Sequence, residues 1–287
     1  MPPLPLLRLP RLVQCEIFKL LSIGEKIQLS FCSKKVSTQI NNARFYSQKV
    51  IVVLDCLNEK INVHSENNKE TFEITTFWKN HRGGFLSVIR YLLKMFQCKI
   101  SISNNYNSDL FQPTISMLFD LQVEFKKLTI LLTGSKDHNL LWNQISKKLE
   151  LVEDLKISSV PDPGFRPVFT SWPQTINIWR SYWFNLEYVL TCTCSRITLE
   201  LSNLGNQDLD EILKNWKAGG LPNLKHLRVG SQRITNNGTA ILGMAPLELQ
   251  EKEIQTDDGS KKATINTGFQ IFEMFFEMLI YQSVHVA

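Results

Sequence analysis

Five histidines, six cysteines and a few close carboxylates are the residues of this 287-residue chain that could carry acid–base, nucleophilic or metal chemistry. His64, His81, His138, His226 and His285 are dispersed, each among polar or strand-like neighbours, and a lone His is more often a surface or satisfied group than a ligand or base. Cys192-Thr193-Cys194 is the one close cysteine pair, with no further Cys or His at zinc-ligand spacing beside it. Asp208, Asp210 and Glu211 invite a reading as paired catalytic acids. They open a helical run that carries Lys214 toward its far end, the charge order that complements a helix dipole. Asp257-Asp258-Gly259 reads as a turn, because the alternating ligand positions of a calcium loop are missing. The glycine-rich phosphate loops, the H-E-x-x-H zinc signature and the G-x-S-x-G nucleophile elbow do not occur. The residues present predict no enzyme, no metal and no cofactor, so the chemistry to look for is recognition.

Recognition needs apolar side chains presented by rigid elements, and residues 9–36 concentrate them. Leu9-Pro10 starts a helix on which Leu12, Val13, Ile17, Leu20 and Leu21 recur at helical spacing. Ser22 and Glu25 form a capping-box pattern for a second helix with Ile27, Leu29 and Phe31. Cys32-Ser33-Lys34 then leads to a third short helix marked by Val36 and Ile40. Three helices in about forty residues cannot bury so much apolar surface among themselves, so this segment predicts a partner.

The pattern Leu9-Pro10, Val13, Ile17-Phe18, Leu21, Lys26-Ile27, Leu29, Cys32 and Lys34 resembles an F-box, over roughly residues 5–45. It departs where Gly24-Glu25 stands in place of the usual acidic residue, and where no Trp follows Lys35. The resemblance implies docking on a Skp-type adaptor, and through it on cullin, in a Skp–cullin–F-box ubiquitin ligase, with the rest of the chain holding a protein substrate. The adaptor-binding residues it implies are Leu9, Pro10, Leu12, Val13, Ile17, Phe18, Leu21, Ile27, Leu29, Cys32 and Lys34. Helix-in-groove recognition by apolar anchors at i, i+3, i+4 and i+7 is compatible with that role.

Charge sets the same segment apart. Residues 1–50 hold eight Lys/Arg against Glu16 and Glu25, whereas the remaining 237 residues hold 24 basic and 25 acidic groups. The overall charge of +5 is therefore local, suited to steering an acidic partner. No run of basic residues interleaved with aromatics argues for nucleic acid. No stretch of eighteen apolar residues predicts a membrane span; Phe269 to Tyr281 comes closest and is broken by Glu273 and Glu277. Prolines 2, 3, 5 and 10 interrupt any secretory leader, and the scattered cysteines suit reduced thiols. A cytoplasmic or nuclear location is expected.

Residues 49–77 alternate like strands (Val50 to Val53, Ile61 and Val63, Phe72 and Ile74), with turns at Asn58-Glu59-Lys60 and Glu66 to Lys69. From Gly83 onward strands and helices alternate. Strand starts fall at Ile100, Leu128, Leu155, Ile197 and Leu227, steps of 28, 27, 42 and 30 residues. A shared apolar-x-x-apolar-x-apolar signature recurs at Phe125/Leu128/Ile130, Val152/Leu155/Ile157, Cys194/Ile197/Leu199 and Leu224/Leu227/Val229. One strand and one helix per unit at this period points to a degenerate leucine-rich-repeat-like solenoid. A doubly wound α/β sheet is the competing architecture. The 42-residue step reads as an insertion or an extra helix.

Leu209 to Trp216 with Gly219-Gly220, then Leu224-Lys225-His226-Leu227, is similar to the type-2 F-box-associated domain; Asp258-Gly259-Ser260, Ala263-Thr264-Ile265 and Phe269 resemble its closing segment. Proteins pairing this domain with an F-box form a large family expanded in nematodes. The expected fold class is α/β: a three-helix F-box (5–45), a connecting β-meander (46–82), then an irregular leucine-rich-repeat-like solenoid (83–275) that captures substrate. Trp172, Trp179, Arg180, Tyr182 and Trp183, crowded in the least regular step, are the candidate substrate-binding residues, being of the types that dominate interface hot spots; a core-packing role is their alternative. The rival function is a repeat-domain protein-interaction module acting outside any ubiquitin ligase.

Overall fold

The computed structural model describes residues 8–42, 50–65, 71–75, 81–96, 98–102, 108–132, 135–159, 167–270 and 273–283. The expected turn at Glu66 to Lys69 and His285 lie outside them, as do the side chains of His81 and His138. The chain divides into two compact units, Met1–Lys126 and Lys127–Ala287.

The first unit begins with three short helices, α1 (Arg11–Leu20), α2 (Ile23–Cys32) and α3 (Lys34–Asn42). The Ser22 amide donates to Glu25 Oε2 at 2.8 Å and the Glu25 amide to Ser22 Oγ at 3.2 Å, closing the expected capping box. The Ser22 amide and hydroxyl, both donating to Glu25 Oε2, hold the Glu25 carboxyl below its usual range. Strands β1 (Val50–Asp55), β2 (Lys60–Ser65) and β3 (Thr71–Thr75) pair antiparallel in sequence order. The turn between β1 and β2 is fixed by Asp55 Oδ1, which accepts the Leu57 and Asn58 amides. Helix α4 (His81–Met95) then carries the chain over to β4 (Cys98–Ile102), parallel to β1, and α5 (Phe111–Asp120) follows. The strand order is β4-β1-β2-β3, leaving β3 at an edge. Alternate residues Val50, Val52 and Leu54 of β1 and Ile61 and Val63 of β2 are buried, so this sheet covers one face. Helix α4, strand β4 and helix α5, which the sequence reading groups with the repeats, thus fold in the same unit as the helical module.

The second unit holds β5 (Phe125–Leu132, across the boundary), α6 (Lys136–Ile145), β6 (Val152–Ser159), β7 (Thr175–Trp179), α7 (Leu186–Thr191), β8 (Arg196–Ser202), α8 (Asn206–Lys217) and β9 (His226–Ser231). Strands β10 (Lys252–Gln255), β11 (Lys261–Phe269) and β12 (Met274–Gln282) close the chain. The order is β10-β11-β12-β9-β8-β7-β6-β5, an open sheet. Strands β6 to β9 are parallel and lie in sequence order, while β10, β11 and β12 add by antiparallel pairing.

The 42-residue step is corrected here: it contains a whole strand, β7, as well as α7. Leu155, Ile176, Ile197 and Leu227 align in one column, and Ile157, Ile178, Leu199 and Val229 in the next. All eight are buried. Ile176 stands 21 residues from both Leu155 and Ile197, so the long step is two short ones. The signature's first apolar position is filled at β7 by the buried Pro173, matching Val152, Cys194 and Leu224. Residues between the buried ones are only half-buried, so one sheet face is covered and the other is open. A doubly wound sheet, covered on both faces, would show continuous burial instead.

Helix α8 ends at a glycine. Gly219 takes φ +89°, and its amide donates to the Trp216 carbonyl at 3.0 Å. The β10–β11 turn is tied by Asp258, which accepts from the Thr256 hydroxyl and the Ser260 amide and hydroxyl; these bonds pull its pKa down to about 2.

Candidate binding surfaces

Helix α1 is anchored by one side only. Phe18 is 3% exposed and Gln14 is buried, its Nε2 donating to the Leu9 carbonyl at 2.7 Å. At about 100° per residue, Leu12, Glu16, Leu20, Val13 and Ile17 occupy a continuous arc on the other side. Leu12 is 80% and Leu20 86% exposed, Val13 is exposed and Ile17 is half-buried. Glu16, within the arc, ion-pairs with Lys19 at 2.6 Å. An exposed pair of this kind contributes about 0–1 kcal/mol, so it does little to order the helix. The arc leaves large aliphatic side chains in water on a helix whose opposite side is already buried.

The sequence-predicted adaptor residues divide accordingly. Pro10, Leu12, Val13, Cys32 and Lys34 are exposed, and Leu9, Ile17, Leu21 and Leu29 are half-buried. Phe18 and Ile27 are buried inside the unit and present no surface as folded, as expected of large apolar side chains given a core to fill. Leu20 and the exposed Phe31 belong to the surface but were not singled out as binding residues. Leu20 was legible, since it stands eight residues after Leu12 on the same arc.

The tryptophan-rich segment also splits. Trp172 stacks on Phe169 with ring centroids 4.3 Å apart, and Trp183, Phe184, Tyr188 and Trp142 complete an aromatic cluster around Phe169. Trp142 Nε1 donates to the Val168 carbonyl and the Tyr188 hydroxyl to the Pro167 carbonyl, strapping residues 167–172 across the cluster. Within this cluster Trp183 is buried and Trp172 half-buried. Trp179 is 51% exposed at the end of β7, on the face shared with Thr175 and Asn177. Arg180 beside it is exposed at φ 59°, and Tyr182 lines an open cleft of about 440 Å³ with Asn185, Asn203 and Arg233.

A polar ladder crosses the open face of β8, β9 and β12. Arg228 lies 3.5 Å from Glu200 and 3.6 Å from Glu277, donates to Gln270 Oε1 at 3.1 Å and covers the Phe275 ring at 4.5 Å. His226 Nε2 meets Glu277 Oε1 at 2.9 Å. Glu273 accepts the Leu201 amide, and its other carboxylate oxygen is buried with no hydrogen-bond partner among the described residues. Burial, reinforced by the neighbouring Glu200 carboxylate, pushes the Glu273 carboxyl up. Its folded form therefore favours the proton, and stability falls as pH rises from the ordinary carboxyl range through the raised folded value. Glu273→Gln is expected to raise the melting temperature at pH 7 and leave it unchanged near pH 3, measured by thermal unfolding across that range. Sequence reading missed this ladder because its members are distant in the chain, Glu273 standing 72 residues from the Leu201 amide that it accepts.

The carboxylates at the start of α8 have structural partners. Asp208 accepts the Gly205 amide, while Asp210 accepts the Leu242 amide and ion-pairs with Lys214 at 2.6 Å. Burial pushes the Cys56 and Cys98 thiols up to about 12 and also raises Cys194, where a hydrogen bond with Cys192 is the larger cause. No cluster of three metal-ligating side chains occurs among the described residues. No helix among them is long and apolar enough to cross a membrane.

Family comparison agrees with the architecture of both regions. Residues 6–48 match the F-box domain family and residues 165–229 the F-box associated family. The chain carries the two modules of an F-box protein with a type-2 F-box-associated domain. That pairing is one of substrate-recognition subunits of Skp–cullin–F-box ligases in general. The associated-domain match spans β7, α7, β8, α8 and part of β9 and stops before β10, so the resemblance of Asp258 to Phe269 to a closing segment lies beyond it. No curated protein matches the chain, and no solved structure does.

Proposed function

We propose that this protein is the substrate receptor of a Skp–cullin–F-box ubiquitin ligase: the α1 arc docks on a Skp-type adaptor, and the second unit binds a protein substrate for ubiquitin transfer by other subunits. The observation that carries the reading is the arc itself. Leu12, Val13 and Leu20 stay in water while Phe18 and Gln14 on the same helix are buried. Exposed aliphatic side chains set in a contiguous arc mark a surface meant for a partner. The basic excess of residues 1–50, with Lys19 next to Leu12 on the helix, suits an acidic adaptor.

For the second unit, parallel strands in sequence order with one face open support a leucine-rich-repeat-like solenoid, an architecture that offers its open face to proteins. Trp179 and Arg180 border that face and are the substrate contacts this reading retains. Such a receptor works in the cytoplasm or nucleus and needs no cofactor. The test is to mix the full chain with purified Skp-type adaptor and follow size-exclusion chromatography with light scattering. A comigrating one-to-one complex is expected. Separate elution at micromolar concentrations would favour a protein-interaction module outside the ligase.

A further inference from the structure

We propose that Phe72 and Tyr91, both outside residues 6–48, are positioning residues for the adaptor-binding helix, so that the working module extends through β3 and α4. The inference rests on the receptor reading for its functional arm alone. One face of α2 carries Ile23, Gly24, Ile27, Ser30 and Phe31, all within about 120° of arc. Ile23, Ile27 and Ser30 are buried. At the helix start, a Cβ on Gly24 would stand 2.6 Å from Phe72 Cδ2, so the missing side chain is what lets the helix backbone rest on the ring. Two turns later Phe31 stacks on Tyr91 of α4, with ring centroids 5.2 Å apart and planes inclined by 24°. The helix is thus held at both ends by side chains from a strand and a helix that follow it in sequence. Helix α1 is joined to α2 by Leu21 and Ser22 alone, and Ser22 is locked in the capping box. Whatever fixes α2 therefore fixes the direction in which Leu12, Val13 and Leu20 point.

The hydroxyl of Tyr91 is buried and has no hydrogen-bond partner among the described residues. The ring alone does the positioning, and Tyr91→Phe keeps it while removing an orphaned polar atom.

The experiment compares the full chain with Phe72→Ala, Tyr91→Ala, Tyr91→Phe and, as a control in the same strand, Thr71→Ala, whose side chain is exposed. Amide hydrogen exchange and affinity for purified Skp-type adaptor are both measured. In Phe72→Ala and Tyr91→Ala, amides of α1 and α2 are expected to exchange at least tenfold faster, with those of β7 to β9 unchanged. Adaptor affinity falls several-fold although no arc residue is altered, and Tyr91→Phe and Thr71→Ala behave as the parent. Unchanged α1 and α2 exchange in both alanine variants overturns the proposal, and so does faster exchange with undiminished affinity. Should the parent chain not bind adaptor at all, the receptor reading fails, and the exchange arm still decides whether Phe72 and Tyr91 hold the helices.

Discussion

Aspartate at both Leu12 and Leu20 is expected to abolish adaptor binding while leaving the protein folded. Both side chains are more than three-quarters exposed, so their replacement removes no internal contact. Surface substitutions of this kind change stability by about 0.5 kcal/mol or less. In a complex the two positions, eight residues apart on α1, would be central apolar anchors, each worth roughly 2 kcal/mol or more. Losing both, and desolvating two carboxylates in their place, corresponds to about a thousandfold weaker association. Isothermal titration with purified adaptor measures the loss, and a thermal melt shows whether the fold is intact. Full affinity in the double variant would mean that α1 docks elsewhere or not at all.

The largest stability effect is expected at Ile197. It sits in the column Leu155–Ile176–Ile197–Leu227, hydrogen-bonded strands lie on both sides of it, and it is fully buried. Ile197→Ala leaves a cavity that neighbouring strands cannot close, at about 2–5 kcal/mol. For a unit of this size that lowers the melting temperature by roughly 10 °C. Thr198, the next residue, points to the open face and is half-buried; Thr198→Ala should cost about 0.5 kcal/mol or less. Differential scanning calorimetry on the pair tests the one-faced sheet directly. Equal losses at both positions would indicate a sheet covered on both sides.

Much of this architecture was legible because short-range physics dictates it. The capping box Ser22/Glu25, the buried Val36 and Ile40 of α3 and the strands β1 to β3 each depend on residues within a turn or two of one another. Strand β7 has a weak signature because Pro173 occupies the position that Val152, Cys194 and Leu224 fill before the neighbouring strands. The antiparallel β10 to β12 were hidden for a different reason. Met274 to Gln282 alternates buried and open residues, but its open positions include Phe275, Leu279 and Tyr281, so the period-two pattern is blurred.

The candidate surface was half legible. Spacing identified α1 and its aliphatic residues, but spacing alone cannot say which of two faces a helix buries. Phe18 is turned inward and Leu20 outward by packing within the first unit, which the residues of α1 alone do not specify. The same limit applies to the tryptophans. Trp179 differs from Trp183 only in which side of a strand or turn it occupies, information held by the pairing of β6, β7 and β8. The Arg228–Glu277–His226 ladder has no local signature at all, since β12 reaches β9 from 51 residues away.

Hydroxyl-radical footprinting of the chain, alone and with a saturating concentration of purified Skp-type adaptor, addresses the α1 arc most directly. The account predicts strong modification of Leu12, Val13 and Leu20 in the free chain and at least tenfold protection of all three in the complex, with Trp179 and Leu140 labelled equally in both. A complex that forms while those three residues remain as reactive as before would contradict it.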